Sequence, residues 1–154
     1  QLPAAPDFML TDQYGETHTL AEYEGKTIFL NFWATWCGPC RSEMPDIQAL
    51  YEDWGENTGD LVVLAVANPS SGDFPYNQDV TQEEIEVFLE ENGYTYPVLM
   101  DTTGSLFSSY GISAFPTTFL ITEEGRVFGY IPGAVDRAFM DSAVEQTMTG
   151  VRVE

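Results

Sequence analysis

Cys37 and Cys40 are the only thiols in 154 residues, and they stand three positions apart as Cys37-Gly38-Pro39-Cys40. A dithiol closing a ring over two intervening residues can pass between reduced and oxidised states with little backbone movement, which suits a redox switch. A structural disulfide usually closes a longer loop, because a small loop constrains the unfolded chain less. A thiolate-rich zinc site needs four ligands, and His18 is the only imidazole available to supplement the pair. Copper(I) is content with two thiolates, so a copper-binding reading stands beside the redox one.

Positioning such a pair takes a strand, a turn and a helix start. Thr27 to Phe32 reads as a short apolar strand, Trp33 to Trp36 as an aromatic turn, and the residues after Cys37 as the opening of a helix. Unpaired N–H groups at a helix N-terminus stabilise a thiolate, the species that attacks disulfides, and Cys37 falls there. Cys40, one turn in, is expected to be more buried and to act second, resolving a mixed disulfide. Pro39 has no N–H to waste at a helix start and arrives with φ preset. Gly38 lets another backbone come close. From Arg41 to Asp53 the helix carries Met44, Ile47, Leu50 and Tyr51 at spacings of three and four, with a bend expected at Pro45.

Length and composition predict one domain over residues 1–154 with a sizeable core; hydrophobic residues make up 44% of the chain and aromatics 14%. No apolar run approaches the roughly 18 residues that cross a bilayer. Acidic side chains number 25 against 5 basic, a formal charge of −20, which makes nucleic acid and anionic membranes poor partners. A basic or neutral protein is easier to approach. The start at Gln1 without an initiator Met reads as the run-in to a domain that followed a signal peptide, lipid anchor or transmembrane helix.

Along the chain, Phe8 to Leu10 and Glu16 to Leu20 read as a hairpin, in which His18 is expected to be exposed or half-packed. Leu61 to Ala67 is apolar throughout, as in a parallel strand covered on both faces. Asn68 to Val80 is a long loop; its Phe74 and Tyr76 either pack beneath it or form a flap beside the site. Thr81 and Glu84 spell a capping box for a helix burying Ile85, Phe88 and Leu89 and ending at Gly93. A strand over Tyr96 to Met100 and a short helix over Ser105 to Tyr110 precede Ala114-Phe115-Pro116-Thr117-Thr118 and the strand Phe119 to Ile121. Val127 to Ile131 pairs antiparallel with that strand. The last helix, Asp136 to Thr149, is expected to bury Phe139, Ala143, Val144 and Met148. The order is that of an α/β fold: a mixed central sheet flanked by helices, with an N-terminal hairpin and a helical insertion. In such sheets a site belongs at the end of the first parallel strand, where the dithiol lies.

APDFML at the start, LNFWATWCGPCRSEMP at the centre and AFPTTFLITEEGRV near the end resemble extracytoplasmic thiol-disulfide oxidoreductases of the TlpA and ResA type, in the thioredoxin superfamily. The resemblance covers nearly the whole chain and implies a thioredoxin-like fold. It makes Cys37 the nucleophile, Cys40 the resolving thiol and Pro116 a cis-proline facing the dithiol. Phe115 would offer backbone groups to a substrate strand, with Trp36, Gly38 and Pro39 also on the substrate side. Glu43 matches the glutamate that ResA-like proteins hold near the active site; in a partly buried helix its pKa would rise and it could exchange protons with Cys40. The plainer alternative for Glu43 is a surface helical acid. Asn31 stands where thioredoxin has a buried aspartate, so that proton route is missing. The Asn68 to Val80 loop is longer than the family's usual connection.

The resemblance therefore implies a protein-disulfide reductase with no cofactor and no metal. Expected clients are disulfide-containing exported proteins, for example apocytochrome c or a sulfoxide reductase. The expected electron donor is a membrane thiol protein, CcdA-like or DsbD-like. A monomer is expected, outside the cytoplasm, tethered to the membrane or lipid-anchored in the full-length bacterial protein. A copper(I) chaperone using the same two thiolates is the alternative, and a thiol peroxidase is disfavoured because the threonine-and-arginine setting of a lone peroxidatic cysteine is missing.

Overall fold

The alternation of side chains along the two central strands decides how the layers stack. In the computed structural model, which describes residues 1–153, strand β1 (Met9–Thr11) and β2 (Thr17–Thr19) form the entry hairpin. Then come β3 (Thr27–Phe32), α1 (Gly38–Asp53), β4 (Leu61–Ala67), β5 (Pro69–Ser70), β6 (Asp79–Thr81) and α2 (Gln82–Asn92). The chain finishes with β7 (Val98–Met100), α3 (Ser105–Ser109), β8 (Thr117–Ile121), β9 (Val127–Pro132) and α4 (Arg137–Thr149). The central sheet has the order β7-β4-β3-β8-β9 among the described residues. β3, β4 and β7 run parallel, and β8 is antiparallel to both β3 and β9.

Every residue of β3 and β4 is buried, as two covered faces require. Phe29, Leu61, Val63, Ala65 and Ala67 point into the core shared with Met44, Ile47 and Leu50 of α1, Ile85 and Leu89 of α2, and Met140 and Val144 of α4. Their neighbours Ile28, Leu30, Phe32, Val62, Leu64 and Val66 turn the other way, onto Phe8, Leu20 and the α3 residues Leu106 and Phe107. At roughly 1.5–3 kcal/mol for each fully buried large apolar side chain, these two layers are the main favourable contribution to folding. Helix α1 runs unbroken from Gly38 to Asp53 with Pro45 inside it. The capping box of α2 forms: Thr81 Oγ1 accepts from the Glu84 amide, and the Glu84 carboxylate accepts from the Thr81 amide.

Three expectations need correction. His18 is buried rather than exposed; Nε2 lies 2.7 Å from Asp12 Oδ2 and Nδ1 lies 2.6 Å from the Tyr23 hydroxyl. Asp12 also accepts the Tyr14 and Glu16 amides, so one carboxylate closes the hairpin turn and anchors the imidazole. In α4 the buried stripe is Met140, Val144 and Thr147, while Phe139 is 52% exposed and Met148 also faces outward. The spacing is that of a helix, which Asp136 caps by accepting from the Phe139 amide, but packing against the core selects Met140 rather than Phe139 for the buried stripe. The expected loop from Asn68 to Val80 contains β5 and β6, paired in parallel and continuing into α2. Phe74 and Tyr76 do not pack beneath it; both are exposed, Tyr76 almost completely.

Candidate active site

Strand β3 delivers the chain to the site, and α1 begins there. Cys37 is the N-cap of α1, in extended conformation, and the Cys40 amide donates to its sulfur at 3.2 Å. An amide aimed at that sulfur, added to the helix N-terminus, is the local arrangement that stabilises a thiolate. Cys37 and Cys40 form a disulfide with Cα atoms 5.2 Å apart, and Cys40 is the more deeply buried of the two. Pro39 lies in the first turn of α1, where no intrahelical amide is needed. A Cβ added at Gly38 would meet no atom within 4 Å, so nothing inside the chain demands glycine there. The open side is available to an incoming backbone.

The turn before Cys37 is held from several directions. The Trp33 amide donates to Val66 O, the Cys37 amide to Ala34 O, and Arg41 Nη1 to Thr35 O at 2.7 Å. Trp36 is exposed; its indole N–H donates to Gln78 O at 2.7 Å, and its ring lies 5.7 Å from that of Phe115. The Phe115–Pro116 peptide bond is cis. Pro116 is buried and Phe115 half-buried, and the Pro116 carbonyl accepts from the Gly133 amide.

Glu43 is 2% exposed, which removes the surface-acid alternative. It lies one helical turn beyond Cys40, a spacing that puts both side chains on one face. Its Oε1 accepts from Asn31 Nδ2 at 2.9 Å and its Oε2 from the Val135 amide at 3.0 Å. Asn31 also donates to Thr118 Oγ1, so β3, β8, α1 and the loop before α4 meet at this carboxylate. Burial pushes the Glu43 carboxyl up to about 6; the two hydrogen bonds act against that shift, and Asp46 adds to it. A group poised there can take up or release a proton near neutral pH.

Sequence reasoning did not find Asp79. This residue of β6 is 6% exposed, and its carboxylate accepts from the Thr35 amide at 2.9 Å, the Thr35 hydroxyl at 2.6 Å and the Val80 amide at 2.8 Å. Its partner is 44 residues away, and no local pattern links the two. No cluster of three or more metal-ligating His, Cys, Asp or Glu occurs among the described residues. No helix among them is long and apolar enough to cross a membrane.

Comparison with known proteins agrees with this geometry. The model of the AhpC/TSA family matches residues 3–128. The thiol-disulfide oxidoreductase ResA of Geobacillus thermodenitrificans is 36% identical over 133 residues, covering 86% of this chain and 70% of that protein. Among solved structures, the exposed lipoprotein thioredoxin Etrx1 of Streptococcus pneumoniae TIGR4 superposes with a TM-score of 0.76 at 26% identity, covering 92% of this chain and 99% of that one. A thioredoxin-family thiol:disulfide interchange protein from Chlorobium tepidum gives 0.75 at 29% identity over 96% and 97% of the two chains.

Proposed function

From the premise that this chain belongs to the AhpC/TSA family and is a ResA-like thiol-disulfide oxidoreductase of thioredoxin fold, we propose that it works as a reductant of disulfides in exported proteins. The observation that carries this reading is the Cys37–Cys40 pair at the N-terminus of α1, with an amide on the Cys37 sulfur and a buried carboxyl of raised pKa one turn beyond Cys40.

The Cys37 thiolate attacks one sulfur of a client disulfide. A Cys37–client bond forms, and the other client sulfur leaves as a thiolate that takes up a proton. Glu43, deprotonated above about pH 6, accepts the proton of Cys40. The Cys40 thiolate then attacks the Cys37 sulfur, closing the Cys37–Cys40 disulfide and expelling the second client thiolate. Two electrons pass from the dithiol to the client, and a membrane dithiol donor of CcdA-like or DsbD-like type returns them. Trp36, Gly38, Pro39, Phe115 and Pro116 form the surface on which the client's backbone lies. Clients such as apocytochrome c or a sulfoxide reductase fit this chemistry, as does a monomeric single domain outside the cytoplasm, tethered or lipid-anchored.

Insulin reduction tests the reading. Turnover that is lost in Cys37→Ser, with a reduction potential near about −270 mV, supports a reductant; a potential near about −120 mV reverses the direction. Copper(I) carried stoichiometrically by the purified protein, with no insulin reduction, favours the chaperone alternative.

A further inference from the structure

The strands β5 and β6 bring an insertion against the turn that presents Cys37, and the contact is made by two consecutive pairs of residues. Gln78 O receives the Trp36 indole, and the next residue, Asp79, receives both the amide and the hydroxyl of Thr35. Thr35 is gripped on its other side too, its carbonyl accepting from Arg41 Nη1 in α1. The base of the insertion is itself fixed. Asn68 Nδ2 donates to Asp101 O while its Oδ1 accepts the Gln78 amide, and Asn77 Nδ2 donates to the carbonyls of Pro69 and Thr102. Asp79 therefore sits in a rigid frame, buried, with its three hydrogen bonds shared between the Val80 amide and the residue two positions before the nucleophile.

We propose that Asp79 is a positioning residue of the dithiol: through Thr35 it fixes the turn that presents Cys37, and its charge holds the pair toward the reducing side. The inference rests on the dithiol reading above. Two residues of chain span at most about 7 Å, so the carboxylate lies within roughly 10 Å of the Cys37 backbone. An elementary charge at roughly that distance, in a surrounding of effective dielectric about 20, changes an equilibrium by about a factor of ten. A negative charge there disfavours the Cys37 thiolate, and so favours the disulfide over the dithiol. The hydrogen bonds have a separate effect, restricting the rotation of Thr35 and Trp36 so that the Cys37 sulfur meets the client at a set angle.

The test compares the wild type with Asp79→Asn, Thr35→Val, Thr35→Ser and Cys37→Ser. The two readouts are the redox equilibrium with glutathione and the rate at which the reduced protein attacks insulin. Asp79→Asn is expected to make the pair more oxidising by about tenfold in that equilibrium, ~30 mV. Thr35→Val, which keeps the charge and loses one hydrogen bond, is expected to slow attack about threefold with a smaller change in equilibrium. Thr35→Ser restores the wild-type rate. A folded Asp79→Asn protein with an unchanged equilibrium overturns the proposal. If Asp79→Asn does not fold, the Thr35 pair decides: slower attack in Val than in Ser supports it, equal rates overturn it. Insulin reduction surviving in Cys37→Ser overturns the dithiol reading instead.

Discussion

Two buried carboxylates, Glu43 on α1 and Asp79 on the insertion, are held in contrasting ways. Glu43, on α1 itself, has two donors, one a side-chain amide and one the Val135 backbone, and burial outweighs both so that its pKa rises to about 6. Asp79, on the insertion, has three donors, and two of them belong to a single residue of the active-site turn. The first arrangement leaves an acid able to exchange protons with its surroundings near neutral pH. The second ties two distant pieces of chain together. The two buried acids thus differ in where their donors come from: Glu43 is bonded by two separate segments, Asp79 mainly by one residue of the active-site turn.

The sharpest way to break this contrast is to remove the charge at each site in turn. Glu43→Gln is expected to slow resolution of the mixed disulfide by about a hundredfold and to abolish the rise in rate as pH passes about 6. Asp79→Asn is expected to retain that rise. Stopped-flow tryptophan fluorescence across pH 4.5 to 8 reads both, and a Glu43→Gln profile that keeps the inflection assigns it to another group.

Stability gives a second, smaller separation. The folded-state pKa of Glu43 is raised above its unfolded value of 4.5, so the folded protein binds that proton more tightly. Its contribution is present in full below pH 4.5 and is lost as pH rises through about 6. Relative to Glu43→Gln, which does not titrate, the wild type should lose about 2 kcal/mol of unfolding free energy across that window. Urea titrations at pH 4 and pH 7.5 measure the difference, and an equal gap at both pH values contradicts the shift. Smallest of all, Thr81→Ala removes the cap of α2 just after Asp79 and should cost about 1 kcal/mol of stability. If the Asp79 frame is as rigid as its hydrogen bonds imply, the attack rate on insulin stays within about twofold of wild type.

What the sequence disclosed follows the range of the forces involved. β3 and β4 were legible because continuous apolar runs mean burial on both faces, and the Thr81–Glu84 box because capping acts within one turn. Cys37, Cys40 and Glu43 lie within seven residues, and their helical placement follows from that spacing. The buried face of α4 was misread because helical periodicity sets the period but leaves the phase to tertiary contacts. His18 was misread because its partners, Asp12 and Tyr23, are recruited by the folded hairpin and the turn after it. The insertion hid its order because strands of two and three residues carry no readable alternation. Asp79, which depends on contacts across 44 positions, was hidden with it.

The central claim is that Cys37 makes the first bond to the client and Cys40 breaks it. Incubating reduced Cys40→Ala protein with a disulfide-bonded peptide and mapping the product by mass spectrometry tests this directly. A peptide joined to Cys37, stable until dithiothreitol is added, is the expected result. Peptide disulfide reduction that continues in Cys40→Ala with no adduct on Cys37 contradicts it.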